Sequence, residues 1–108
     1  MSAITIAPKK LVLPPDVQAF AHERGLAPYL LGILNVLHRV FADATRMTAE
    51  IHEDPEVENL RWIVFDVEVP CTLDRLNELT DDWYRSTPNA CPTTLFGEFG
   101  LAAHRVEP

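Results

Sequence analysis

The chain has 108 residues, 47% of them apolar and 23% charged, which is enough for one packed core and argues against wholesale disorder. Nine Lys and Arg against sixteen Asp and Glu give a formal charge of −7, which repels phosphate backbones and anionic lipid and so argues against nucleic acid as a partner. The longest apolar stretch, residues 26–37, is broken by Pro28, Gly32 and Asn35 and falls short of the roughly twenty residues a membrane span needs.

In chain order, "ITIAPKKLVLPP" mixes β-branched residues with Pro8, Pro14 and Pro15, which cannot donate to a central ladder. Residues 1–13 therefore read as an N-terminal arm or edge strand. A short helix is expected over Asp16–Arg24, with prolines at its start, Val17, Phe20 and Ala21 at helical spacing, and Gly25 as its stop. A second helix should run from Pro28 to about Ala42. Its apolar residues cover most of the circumference and leave Gly32, Asn35 and Arg39 as a narrow polar strip.

The period then drops from 3.6 to 2. In "RMTAEIHE" Met47, Ala49 and Ile51 alternate with polar residues, and in "LRWIVFDVEV" Ile63, Phe65, Val67 and Val69 form the matching apolar set. "DPEVEN" between them reads as a hairpin connection with Pro55 and Asn59 as turn residues. A one-residue slip would turn every side chain to the wrong face, so the apolar sets fix the parity, and Ile51 opposite Ile63 is the simplest register. That register sets Arg46 against Glu68, Thr48 against Asp66, Glu50 against Val64 and His52 against Trp62.

A third helix follows, with Thr72 as N-cap, a stripe of Leu73, Leu76, Leu79 and Trp83, an Asp81–Arg85 pair at i,i+4, and Pro88 beyond its end. Residues 89–108 hold two glycines and two prolines with Leu95, Phe96, Phe99 and Leu101 between them, and read as an extended C-terminal tail that either folds back over the domain or docks on another chain. The expected architecture is a two-layer α+β core domain over residues 14–88, an antiparallel hairpin against three helices. A two-stranded sheet is marginal alone, so either the N-terminal arm extends it or two chains pair isologously across it.

Chemistry-bearing motifs are sparse. HExxH, GxSxG and CxxC do not occur, and the glycines at 25, 32, 97 and 100 are too widely spaced for a phosphate loop. Cys71 and Cys91 read as small apolar residues in a reduced compartment, and "MSAITIAPKK" lacks the pattern of a secretory signal, so a cytoplasmic location without export is expected. No motif asks for a cofactor or a metal. Asp66 and Glu68 share a strand face, but a glycosidase-like pair also needs a deep cleft, and both read as solvating residues. The one catalytic grouping that can be assembled is Glu50, His52 and Asp66 on the polar strand face, while His38 reads as a hydrogen-bonded boundary histidine.

Exposed apolarity is more informative. Trp62 and Val64 fall on the face turned away from the helices, and Tyr84, Phe96 and Phe99 supply further adhesive side chains. The leading reading is a small, soluble, acidic interaction or regulatory protein that binds a protein partner, or a second copy of itself, through Trp62, Val64, Tyr84, Phe96 and Phe99. The alternatives are a small-ligand or metal-dependent enzyme using the polar strand face, and an acidic mimic of nucleic acid.

Overall fold

A computed structural model describes residues 11–107 of the chain. The expected N-terminal arm or edge strand falls almost entirely outside the described residues, and Leu11–Pro14 run into the first helix without regular structure. The elements are α1 (Pro15–Glu23), α2 (Ala27–Val40), β1 (Arg46–Glu53), β2 (Arg61–Pro70), α3 (Leu73–Ser86), two 3-10 segments (Thr87–Asn89 and Thr93–Glu98) and β3 (Phe99–Val106). The class is α+β, with a three-stranded mixed sheet in the order β1-β2-β3.

Local chemistry sets the helix ends. Pro15 occupies the first turn of α1, where a missing N–H costs nothing. At the other end Gly25 takes φ 73°, its N–H bonds the carbonyl of His22, and the next N–H, of Leu26, bonds Ala21 at 2.7 Å. This is a Schellman closure, and its two flanking apolar residues, Ala21 and Leu26, are both fully buried. Thr72 caps α3 as expected, accepting from the Arg75 N–H at 3.2 Å.

β1 and β2 pair antiparallel in the register expected from parity: Ile51 opposite Ile63, Arg46 opposite Glu68, Thr48 opposite Asp66, Glu50 opposite Val64 and His52 opposite Trp62. The turn between them needs one left-handed residue, and Asn59 supplies it at φ 64°. Arg24, just past α1, donates to the Asn59 carbonyl at 3.2 Å and faces Glu98 at 3.8 Å, with its guanidinium 4.9 Å from the Phe20 ring centre. One arginine thereby ties the first helix to the hairpin tip and to the segment before β3.

The segment read as an extended tail is corrected by its pairing. Phe99–Val106 lies beside β2 as a parallel strand, with Ile63 aligned to Phe99 and Pro70 to Val106. Parallel neighbours need a long crossover, and α3 provides it by carrying the chain from the end of β2 back to its start. The marginal hairpin thus gains its third strand from the C-terminal segment.

The helices cover one face of this sheet. Ile63, Phe65, Val67 and Val69 of β2, Ala49 of β1 and residues of all three helices form one buried cluster. Phe65 sits at its middle, stacked at 6.1 Å and 14° on Phe99 and meeting Trp83 edge-on at 6.0 Å. Three details of the sequence reading change. α2 buries Ile33, Val36 and Leu37, a phase that turns Leu31 outward at 70% exposure. Gly32 instead comes against Ala90, where an added Cβ would lie 3.5 Å from that residue. Leu73 is 61% exposed, because a side chain at the first helical position leans toward the N-terminus and past the end of the helix. Arg85 pairs with Asp82 at 3.0 Å, choosing the i−3 neighbour over Asp81.

Truncating Phe65→Ala should lower unfolding free energy by about 3–5 kcal/mol, because it removes the ring on which Phe99 and Trp83 both rest. Leu31→Asp, on the solvent side of α2, should change it by less than about 0.5 kcal/mol. Urea denaturation followed by circular dichroism compares the two.

Candidate functional site on the outer sheet face

Because alternate residues of a strand point to opposite faces, burying Phe65 and its neighbours fixes what the other face displays. The pairing sets the outer face in rows: His52 beside Trp62; Glu50, Val64 and Gly100; Thr48, Asp66 and Ala102; Arg46, Glu68 and His104. The first two rows carry the apolar surface and the last two most of the charge.

At the charged end, Arg46 reaches Glu68 at 3.6 Å and His104 reaches Asp66 at 3.3 Å. His52 pairs along its own strand with Glu50 at 3.0 Å. Arg46, Thr48, Glu50, Asp66, Glu68 and His104 line a depression of about 320 Å³. It is shallow, since the Arg46, Glu50 and His104 side chains are 66%, 61% and 55% exposed.

The expected grouping of Glu50, His52 and Asp66 is therefore divided. Glu50 holds His52, whereas Asp66 takes its histidine from β3. In the sequence His104 is one of four histidines with no motif around it and lies in a segment that reads as a tail, which leaves it without a partner; its position in the alternation of "FGLAAHRV" is the signal that places it outward. Among the described residues no group of three or more His, Cys, Asp or Glu is placed to hold a metal ion. Thr48 and His104 stand on β1 and β3 with β2 between them and in adjacent rows, so their backbones lie roughly 12 Å apart, and the histidine faces Asp66 instead.

The five residues expected to bind a partner fall in two places. Trp62 is half-buried on the outer face, and a Cβ placed on Gly100 would lie 3.4 Å from its Cδ1 and 3.5 Å from Val64 Cγ2. The glycine leaves the notch in which the indole lies. Val64 is only 6% exposed, so it supports this arrangement from within. Tyr84, Phe96 and Phe99 converge elsewhere, with Trp83, Ile33, Thr87 and Cys91, around a crevice of about 40 Å³ between α2, α3 and the segment leading into β3. Phe96 and Phe99 are half-buried there and Tyr84 is 60% exposed.

No family model matches the chain, and no curated protein or solved structure matches it either.

Enlarging Gly100 tests the notch. Gly100→Ala places a methyl in ordinary van der Waals contact and should leave Trp62 where it is, whereas Gly100→Leu should push the indole into water and shift its fluorescence to the red. The cysteines supply a second check. Burial pushes the Cys91 thiol up from its ordinary value, so at pH 8 less of it is thiolate. An alkylating reagent followed by mass spectrometry should modify the half-exposed Cys71 well before Cys91.

Proposed function

We propose that this protein is an interaction module that engages a protein partner through the outer face of its sheet, with Trp62 as the anchor. The observation that carries this reading is the half-buried indole in the Gly100 notch, on a sheet face that no described element covers. Tryptophans held at a rim in this way combine a large apolar area with few freely rotating bonds, which is why they dominate binding energy at interfaces.

The charge on the face suggests the partner's chemistry. Glu50, Asp66 and Glu68 outnumber Arg46, and the hairpin tip next to Trp62 adds Glu53, Asp54, Glu56 and Glu58. Two copies placed face to face would bring these carboxylates together, so a basic partner fits this surface better than a second copy. The interleaved Arg46, His52 and His104 also interrupt the continuous negative charge that a nucleic-acid mimic requires.

A photo-crosslinking residue at Thr48, on the outer face, should capture a partner from the native host, and one at Asn35 on the exposed side of α2 should not. Trp62→Ala should then weaken the purified complex by about 30-fold or more, the loss expected of an anchoring aromatic. Asp66→Asn with Glu68→Gln should mainly slow association and flatten its salt dependence. Equal capture at both positions, or binding indifferent to Trp62→Ala, would refute the reading.

A further inference from the structure

His38 is engaged at both ring nitrogens by groups whose roles are fixed. Its Nδ1 lies 2.8 Å from the carbonyl oxygen of Leu34, one turn back along α2. A carbonyl only accepts, so Nδ1 carries the proton. Its Nε2 receives the backbone N–H of Leu11 at 3.1 Å. A backbone N–H only donates, so Nε2 presents its lone pair. The two partners together select one tautomer of the neutral ring.

Leu11 belongs to the stretch that leads into α1, and that stretch is one wall of an open groove beside β1. Leu11, Val12 and Pro14 face Ala44–Ala49 across about 420 Å³. The opposite wall is the outer edge of β1. Asp54 continues the β1–β2 ladder and bonds the Leu60 carbonyl at 2.9 Å. Alternation along the strand therefore turns the N–H and C=O groups of Met47 and Ala49 away from β2 and toward the groove. Among the described residues no strand pairs with that edge.

We propose that His38 is a proton-operated latch: its neutral ring holds residues 11–14 in place as one wall of the groove beside the edge of β1, and its protonation releases that wall and widens access to the edge. Protonation converts Nε2 from acceptor to donor and sets it against the Leu11 N–H, so the bond is replaced by two opposed donors. The Nδ1 bond to Leu34 survives the change, which keeps the ring in place while the strap leaves. The Gln18 side chain also donates to the Leu13 carbonyl at 2.8 Å, a second hold that does not titrate.

The charged groups around the latch leave the change to His38. Residues 11–14 carry no ionisable side chain, and Lys9 and Lys10 precede them outside the described residues. Among the described residues no carboxylate or cation pairs with the ring. Asp16, on α1, accepts from the Val17 N–H beside it. Arg46, which lines the groove, faces Glu68, and Arg39 is exposed on the same helix as His38. The latch does not depend on the outer-face reading, since His38 and Leu11 belong to neither the Trp62 notch nor the charged depression.

The test is an NMR titration of the full chain from pH 8 to pH 5. The Leu11 amide proton and the His38 ring nitrogens should move with one common midpoint. Over the same range Leu11 protection against hydrogen exchange should fall about tenfold, as for the loss of one hydrogen bond, while Val36 and Leu37 in α2 stay protected. His38→Gln retains an acceptor and a donor on a side chain that does not titrate, so its Leu11 amide should be indifferent to pH. His38→Phe should leave Leu11 released throughout. A Leu11 amide that ignores pH in the wild-type chain, or one that still titrates in His38→Gln, would overturn the proposal whether or not the Phe variant folds.

Discussion

Phe65 is where the separate parts of this chain are made to agree. Its ring is fully buried in the middle strand, stacked on Phe99 from β3 and met edge-on by Trp83 from α3. A strand paired on both sides has no backbone group left for solvent, so its side chains alone decide which way it faces. Once Phe65, Ile63, Val67 and Val69 are committed inward, Trp62, Asp66 and Glu68 have no choice but to lie outward with their neighbours on β1 and β3. The arrangement of the outer face is therefore a by-product of core packing, and its chemistry is whatever those obligatory positions hold.

The hairpin was readable to the residue because two apolar sets of period 2 leave one parity open, and the acidic connection with Pro55 and Asn59 allows the chain to turn there. α3 was equally legible from Thr72 and the stripe of Leu76, Leu79 and Trp83. What escaped was β3. Its inward residues, Phe99, Leu101 and Ala103, alternate with Gly100, Ala102 and His104, but glycine and alanine carry little strand preference, and Gly97 and Pro92 nearby signal a loop. The strand forms because β2 offers it an edge, a tertiary fact that local pattern does not contain. The same holds for His104, which became a partner of Asp66 only through that pairing. Leu31 and Gly32 traded places for a related reason: when a helix is apolar nearly all round, its own sequence cannot say which face the neighbours will choose, and Ala90 chose the glycine.

The four histidines of the chain have unlike surroundings. His38 is bonded to two backbone groups, His52 and His104 are each beside a carboxylate on an open face, and His22 sits exposed in the last turn of α1. Hydrogen bonds to backbone fix a tautomer, whereas a contact with a carboxylate on an open face is screened by salt. Identical side chains thus report on different events in one molecule: the seating of the strap, and the charge offered by the sheet.

Gly100 has a consequence for how the sheet assembles. The hairpin joins segments close in sequence, while β3 pairs with β2 across a longer stretch of chain, so closing that second pairing costs more loop entropy. Parallel strands have evenly spaced bonds and by themselves tolerate sliding. A shift by two residues in one direction, which would preserve the inward parity, would bring Glu98 up against the Trp62 indole, where a methyl fits but a long side chain does not. The missing side chain works as the cut in a key, barring the last strand from stopping two residues short.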